Sequence, residues 1–322
     1  MRKQKAIIGI SSITLMLILI ISGCFIFLTI NNYSTNNVAS YMELDRIEFE
    51  IGNQKIDDFA YLLQDVDIDE IHESKYDLMI IDYSSDGSEE GELSSSDITY
   101  MKSGDDKKKL LFSYLSIGEA ENYRFYWDKD WETAPPDWLD EENPQWEGNY
   151  KVKYWKAEWQ QIIFQYLDRI INASFDGIYM DIVDAYEFYE GKISHPDWLM
   201  MDFVGNISNY VKNEVGEDFM VFVQNADNLL TNRTYVENID GIGREDLFYS
   251  DNSKTSSSWQ EEGINNLNIV KESNKTVLVT DYPSSLDNIY DFYTKCINEG
   301  YLGYATIRDL NRIKEYSFYR AT

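Results

Sequence analysis

Acidic and amide side chains follow short apolar runs along much of this chain, where they could act together in catalysis. The members of this set are Asp82, Glu119, Asp181, Asp184, Gln224, Asn225, Glu245 and Asp281. Acidic residues also commonly cap the helix that follows a strand, so each one alone has a structural alternative. If the runs are strands that end at one edge, the set predicts a carboxylate-lined site.

Two of these acids, Asp181 and Glu245, occupy matching positions in their runs. Asp-Gly opens each run, at Asp176 and at Asp240, and the acid follows five residues after that aspartate. Side chains alternate between two faces along a strand, so residues two and four positions before each acid share its face. Those residues are Tyr179, Gly177, Gly243 and Gly241. The glycines leave room below Glu245, and the two acids are predicted to face a shared space.

Two opposed carboxyl groups are what the hydrolysis of a glycosidic bond requires. One attacks or stabilises the anomeric carbon, and the other protonates the leaving oxygen. The acid must keep its proton near neutral pH, and a neighbouring carboxylate raises its pKa. The spacing therefore predicts Asp181 and Glu245 as the catalytic pair of a glycosidase.

Eight short apolar runs are candidates for the strands that carry these side chains. They span residues 59–63, 77–83, 110–117, 177–181, 220–224, 241–245, 277–282 and 302–306. Amphipathic helix patterns lie between some of them, at 159–171, 197–215 and 286–297. Apolar strands that alternate with helices indicate a parallel sheet, and eight units predict an α/β fold, the (β/α)8 TIM barrel. An open doubly wound sheet is the alternative.

The composition argues against several other kinds of site. The formal net charge is −29, which repels nucleic acid and attracts cations. The chain has two histidines, His72 and His195, too few for a multi-histidine metal centre. No glycine-rich phosphate motif opens a helix. We therefore predict no metal, no cofactor and no nucleic-acid partner.

An uncharged apolar segment, residues 6–30, precedes the predicted barrel and follows a basic N-terminus. As a helix it is long enough for a hydrocarbon core of about 30 Å, with the basic end in the cytoplasm. Residues 1–30 are thus a predicted transmembrane helix of a single-pass protein with an extracellular domain. The sequence around Cys24 resembles a lipobox, so a lipoprotein signal is the alternative. Residues 31–57 are a predicted stalk, and 58–322 the barrel domain.

A tryptophan-rich segment, residues 119–155, interrupts the alternation of strands and helices after the third strand. Its tryptophans are Trp127, Trp131, Trp138, Trp146 and Trp155. Long loops on the carboxyl side of a barrel are usually functional. We expect most of these rings to pack the loop against the barrel, whereas others could stack on sugar rings.

Several motifs resemble the endo-α-1,4-polygalactosaminidases and their bacterial relatives. One is Tyr-Leu-Ser-Ile-Gly-Glu-Ala-Glu at 114–121, and the most specific is Phe-Asp-Gly-Ile-Tyr-Met-Asp-Ile-Val-Asp-Ala-Tyr at 175–186. Gln-Asn-Ala-Asp at 224–227 and Gly-Arg-Glu at 243–245 fit the same family. The likeness spans roughly residues 58–310.

The resemblance implies a barrel glycosidase that cleaves α-1,4-linked galactosamine polysaccharide, with Asp181 as nucleophile and Glu245 as acid/base. Partly deacetylated galactosamine is cationic, which suits an acidic surface. The expected substrate-binding residues are Asp82, Tyr83, Glu119, Tyr179, Asp184, Gln224, Asn225, Asp281 and Tyr282. Packing at strand ends is the alternative role for several of them. A catalytically silent, carbohydrate-binding barrel at the cell surface is the alternative function.

Overall fold

Eight parallel strands form the centre of the fold. The computed structural model describes residues 41–104 and 107–319, and also two short strands that precede residue 41. The barrel strands are β1 (Phe59–Leu62), β2 (Leu78–Ile81), β3 (Leu110–Ser116), β4 (Gly177–Asp181), β5 (Met220–Gln224), β6 (Gly241–Glu245), β7 (Thr276–Asp281) and β8 (Leu302–Ala305). Each strand pairs with the next one along the chain. Rings of β1 and β8 meet at the seam, where the centroids of Phe59 and Tyr304 lie 5.7 Å apart. The prediction of a TIM-like barrel is confirmed.

The strands lie within two residues of their predicted bounds, and three of them coincide with the prediction. Nearly every strand residue is buried, because helices cover the outer face and side chains fill the inside. This burial on both faces explains why the strands appear in the sequence as continuous apolar runs.

Helices connect the barrel strands on the outside. They are α1 (Ile68–Glu73), α2 (Ser95–Ser103), α3 (Ala157–Ala173), α4 (Ala185–Tyr189), α5 (Pro196–Glu214), α6 (Arg233–Glu237), α7 (Ser257–Glu272) and α8 (Leu286–Glu299). Helix α3 buries one stripe at helical spacing, which includes Trp159, Ile163 and Ile170. Helix α2 begins with a capping box in which Ser94 and Asp97 bond each other's backbone N–H groups.

A three-stranded antiparallel sheet lies in the long segment between β3 and α3. Its strands, in spatial order, are Glu119–Glu121, Asn149–Val152 and Leu139–Glu142. A series of tryptophan contacts joins this segment to α3: ring centroids are 5.3 Å apart for Trp127–Trp131, 4.9 Å for Trp131–Trp138 and 5.1 Å for Trp138–Trp159. The expectation that most of these rings pack the loop holds. Trp146, which is 52% exposed, is the exception.

Shortly before β1, the strands Phe49–Ile51 and Gln54–Ile56 pair as a hairpin, and Ile51 and Ile56 are buried. Arg46 donates to Asp57 at 2.6 Å and to Asp58 at 2.7 Å. The last part of the predicted stalk therefore folds with the barrel. Its short alternation of buried and exposed residues was too brief to predict a strand pair from sequence.

The predicted membrane anchor lies outside the described residues, except for the strands Ile20–Ile21 and Cys24–Phe25, which pair antiparallel. These four residues are extended, not helical. Within the described part of the chain, no helix combines the length and the apolar character that crossing a membrane requires.

Candidate active site

A cavity of about 660 Å³ opens where the barrel strands end. It is lined by most of the strand-end polar residues singled out in the sequence: Asp82, Glu119, Asp181, Asp184, Gln224, Asn225 and Glu245. Tyr282 also lines it. The carboxyl ends of barrel strands carry the catalytic residues in enzymes of this fold, so the position marks a candidate active site.

Asp181 is the last residue of β4, and two donors hold its carboxyl group. The Tyr114 hydroxyl donates to Oδ2 at 3.0 Å, and the backbone N–H of Ile182 donates to Oδ1 at 2.7 Å. Burial raises the pKa of Asp181 well above its ordinary value, and the Glu245 charge raises that pKa further. The two hydrogen bonds lower it, because they stabilise the charged form.

Glu245 is the last residue of β6 and is likewise held by two donors. The Tyr282 hydroxyl and the Gln224 side-chain amide both donate to its carboxylate. Gln224 is oriented in turn by the Tyr61 hydroxyl, which donates to its Oε1 at 3.0 Å. Burial raises the pKa of Glu245, whereas the Tyr282 bond lowers it. Each acid therefore has its own tyrosine donor.

Residues that follow β4, β5 and β6 directly adopt a left-handed backbone conformation. The φ angles are +58° at Ile182, +58° at Asn225 and +53° at Asp246. This conformation costs a non-glycine residue roughly 1–2 kcal/mol, and most for a β-branched one such as isoleucine. The turn at Ile182 aims its N–H at Asp181. At the next strand, Asn225 Oδ1 accepts the N–H of Glu245 at 3.0 Å. These two strained turns therefore place a hydrogen bond on the Asp181 carboxylate and another on the backbone of Glu245.

Tyr179 does not reach the cavity lining and instead fills the barrel interior below the two acids. It is 1% exposed, and its ring lies 5.3 Å from that of Tyr61. A Cβ on Gly243 would lie 1.7 Å from the Tyr179 hydroxyl oxygen. The room predicted below Glu245 therefore exists, but a tyrosine occupies it. Residues two positions before a strand's end lie one layer deeper, so Tyr179 lies below the cavity and is not among its lining residues. Its predicted contact with substrate stays a prediction that this placement does not support.

Two further predicted contacts, Asp281 and Tyr83, also point away from the cavity. Asp281 is fully buried and accepts backbone N–H groups of residues 247–249 at 2.8–2.9 Å. It fixes the loop after β6. Tyr83 follows Asp82, so alternation turns it outward, where its ring lies 4.7 Å from that of Tyr166 on α3. Both residues therefore have the packing role that the sequence left as the alternative. Their contact with substrate stays a prediction.

Arg124 lines the cavity and is not among the predicted site residues. It donates to both carboxylate oxygens of Asp82 at 2.7 Å and, through Nε, to Glu121 at 2.5 Å. All three side chains are buried. Asp82 therefore lines the cavity with its charge already neutralised. The one available signal was the dipeptide Tyr123-Arg124, which follows the motif at 114–121 closely in the sequence.

A group of three carboxylates lies at the opposite, amino end of the barrel. Oxygens of Asp57, Asp58 and Asp77 lie within 4.8 Å of one another, as ligands of a cation would. Arg46 contacts Asp57 and Asp58, and Lys107 contacts Asp77 at 2.7 Å. Burial raises the pKa of Asp58 to about 7. Because Arg46 and Lys107 already pair with all three carboxylates, we assign the group to stability, as expected for this end of a barrel.

Acidic side chains dominate the cavity. Those that line it are Asp65, Asp82, Asp86, Glu119, Glu121, Glu147, Asp181, Asp184 and Glu245. The lining arginines are Arg124 and Arg308, and Arg308 donates to Asp246 at 2.8 Å. The resulting field concentrates cations at the cavity.

Comparisons with known proteins agree with the geometry. Residues 50–321 match the model of glycoside-hydrolase family GH114. An uncharacterized protein of Methanocaldococcus jannaschii is 40% identical over 289 residues, which are 86% of this chain and 82% of that protein. An uncharacterized protein of Thermotoga maritima is 37% identical over 267 residues, 79% of this chain and 81% of that protein.

Two solved structures share the fold. The glycoside hydrolase domain of PelA from Pseudomonas aeruginosa has a TM-score of 0.62 and 12% identity, over 80% of this chain and 97% of that chain. Aspergillus fumigatus Ega3, solved in complex with galactosamine, has a TM-score of 0.63 and 15% identity, over 85% of this chain and 99% of that chain. The TM-scores show a shared barrel fold, and the family match covers residues 50–321. This chain therefore belongs to glycoside-hydrolase family GH114 and is a glycoside hydrolase.

Proposed function

We propose that this protein hydrolyses α-1,4 linkages of galactosamine-type polysaccharide, with Asp181 and Glu245 as the reacting pair. The supporting observation is that both carboxyl groups end barrel strands, β4 and β6, at one acidic cavity. Each carboxyl group is held by a tyrosine and a second donor, so both are oriented before substrate arrives.

In the proposed mechanism, the Asp181 carboxylate attacks the anomeric carbon as the bond to the leaving oxygen breaks. Glu245 gives its proton to that oxygen. The ionised Glu245 then takes a proton from water, whose oxygen displaces Asp181 from the sugar. Both carboxyl groups return to their starting states. This assignment follows the family resemblance, and the same geometry would also support the exchanged roles.

The protonation that this mechanism needs is one neutral and one ionised carboxyl group. Burial raises the pKa of both acids, and the Glu245 charge raises that of Asp181. Two acids coupled in this way release their protons in two separate steps. Between those steps the pair holds one proton. The mechanism above needs that proton on Glu245, whereas the charge of Glu245 raises the pKa of Asp181 and favours the proton on Asp181, as in the exchanged roles.

The substrate class is proposed from charge. The cavity lining is rich in carboxylates, and its two arginines are both bound to acids. A polymer with free 2-ammonium groups is attracted to such a cavity, whereas a uronic acid polymer is repelled. Ega3, which shares the barrel fold, was solved in complex with galactosamine.

The test is incubation of the full-length chain with α-1,4-linked galactosamine polymers of graded N-acetylation. Reducing ends are counted, and product anomers are identified by NMR. We expect new reducing ends with the deacetylated polymer and none with polygalacturonate, the like-charged control. Binding without any new reducing ends would instead favour the carbohydrate-binding alternative. The anomer formed first distinguishes retention from inversion.

We further propose that residues 1–30 anchor the protein in the cell membrane with the barrel outside. The proposal is supported by the uncharged segment 6–30 and its basic N-terminal flank. Protease added to intact cells should remove the barrel, and alkaline carbonate should leave it in the membrane fraction. A Cys24→Ser variant that stays in the membrane distinguishes a transmembrane helix from a lipoprotein.

A further inference from the structure

Arg308 lines the cavity but takes no part in the proposed bond-breaking step. It follows β8, and its side chain is 40% exposed. Its guanidinium group donates to both carboxylate oxygens of Asp246, at 2.8 and 3.2 Å, and through Nε to Asp251 at 3.2 Å. Both aspartates lie in the loop after β6, so Arg308 joins the end of the last barrel strand to that loop. Two hydrogen bonds to one carboxylate also fix the plane of the guanidinium group.

The guanidinium group of Arg308 covers the ring of Tyr282. Its central carbon, Cζ, lies 4.1 Å from the centroid of that ring, within the range of a cation–π contact. Tyr282 lines the cavity, yet it is only 5% exposed, and its hydroxyl donates to the Glu245 carboxylate. A partly exposed arginine therefore covers a nearly buried ring and limits the positions that the Tyr282 hydroxyl can take.

Arg308 also holds the residue that follows Glu245. Asp246 has a left-handed backbone, with φ at +53°. Its carbonyl oxygen accepts the indole N–H of Trp259 at 2.8 Å, while Arg308 binds its carboxylate. Glu245 is thus supported through its carboxylate by Tyr282 and through the backbone by Asp246, and Arg308 contacts both of these residues.

The charges of Arg308 and Asp246 act on Glu245 in opposite directions. Burial raises the pKa of Glu245, and the Asp246 charge raises it further, whereas the Arg308 charge lowers it. The bound pair therefore partly offsets its own effect on Glu245. A test of Arg308 has to separate its geometric contribution from the charge that its removal would uncover.

We propose that Arg308 is a positioning residue, which acts on the reaction through Tyr282. By binding Asp246 with two hydrogen bonds and covering the Tyr282 ring, it keeps the Tyr282 hydroxyl on the Glu245 carboxylate. A displacement of about 1 Å at a reacting group can cost on the order of 100-fold in rate, so a partial loss of this support has a measurable effect. The inference rests on the proposed function, in which Glu245 is one of the two reacting acids.

The experiment measures kcat and KM on a deacetylated α-1,4-galactosamine oligomer for the full-length wild type, Arg308→Gln, Tyr282→Phe and the double variant, each at its own pH optimum. We expect Arg308→Gln to lower kcat about 5- to 30-fold, with KM changed less than about 3-fold. In the Tyr282→Phe chain the same change should lower kcat less than about 2-fold, because the hydroxyl that Arg308 positions is gone. The matched control is Arg312→Gln, an exposed change in the same segment that does not line the cavity and should alter neither constant.

A second variant separates geometry from charge. Arg308→Gln uncovers the charge of Asp246, and Asp246→Asn in the same chain removes that charge. Asparagine tolerates the left-handed backbone at this position. The loss in kcat should persist in this double variant, because the Tyr282 ring is still uncovered. Restored kcat would overturn the inference, since the uncovered charge alone would then account for the loss.

Equal losses from Arg308→Gln in the wild-type and Tyr282→Phe chains would also overturn the inference, because Arg308 would then act without Tyr282. A higher KM with an unchanged kcat would do the same, since it indicates a direct contact with substrate. Crystal structures give a readout that needs no substrate: the Tyr282 hydroxyl should leave Glu245 in Arg308→Gln and stay bound in Arg312→Gln. A hydroxyl that stays bound in both contradicts the inference. Absence of hydrolysis by the wild-type chain would instead remove the proposed function, and the structures would still decide whether Arg308 positions Tyr282.

Discussion

The two tyrosine donors of the candidate site allow a test of which acid is the nucleophile and which is the proton donor. Tyr114 donates to Asp181 at 3.0 Å, and Tyr282 donates to Glu245. Each hydrogen bond lowers the pKa of its acid, because it stabilises the charged carboxylate. Replacing either tyrosine by phenylalanine removes the hydroxyl with little change in shape. The pKa of the acid that loses its donor must then rise.

The size of the shift follows from the hydrogen bond that is lost. A hydrogen bond to a charged group contributes about 1.5–3 kcal/mol. One pKa unit corresponds to about 1.4 kcal/mol, so each variant should raise one apparent pKa by about 1–2 units. Solvent that enters in place of the hydroxyl reduces the effect, and about 1 unit is the expected result.

The assay is the pH dependence of kcat/KM on a deacetylated oligomer, which reports the essential acid and base of the free enzyme. With Asp181 as the nucleophile, Tyr114→Phe moves the acid limb of the profile to higher pH. With Glu245 as the proton donor, Tyr282→Phe moves the alkaline limb to higher pH. If the roles are exchanged, each variant moves the other limb. Profiles that coincide with wild type for both variants would refute the reasoning.

Three other changes test the supporting structure. Gly243→Ala places a Cβ against the Tyr179 hydroxyl and should destabilise the barrel by about 1–3 kcal/mol in urea unfolding, and Tyr179→Phe in the same chain should recover part of the loss. Asp82→Asn leaves Arg124 with one acidic partner and should cost about 3 kcal/mol, whereas an unchanged unfolding midpoint would show the pair to be unimportant. Trp146→Ala removes an exposed ring at the cavity and should weaken oligomer binding by about 1 kcal/mol with an unaltered melting temperature.

The barrel and the positions of its acids were predictable because both depend on local periodicity. Buried parallel strands produce apolar runs, and the acid at the end of a run marks the rim. Asp181 and Glu245 end their strands at the predicted residues and line one cavity. The repeated spacing from Asp-Gly to the acid was therefore a sound guide to their placement, while their catalytic roles stay a prediction.

The structure departs from the predicted placement of side chains where a side chain's partner is distant in sequence. Asp281 is satisfied by backbone N–H groups more than thirty residues earlier, and no local pattern indicates that bond. Tyr179 fills space that Gly243 leaves open on another strand. Arg124 belongs to the site because Asp82, from the preceding strand end, binds it. Each case depends on how separate strands and loops are placed against one another, which local sequence patterns do not indicate.

The most direct test of the central claim is removal of each acid without loss of the fold. The full-length variants Asp181→Asn and Glu245→Gln should lose about 100- to 10,000-fold in hydrolysis of galactosamine polymer, because each removes one of the two groups that the reaction requires. Both should still bind the polymer and melt near the wild-type temperature. Wild-type turnover by either folded variant would contradict the assignment of this pair.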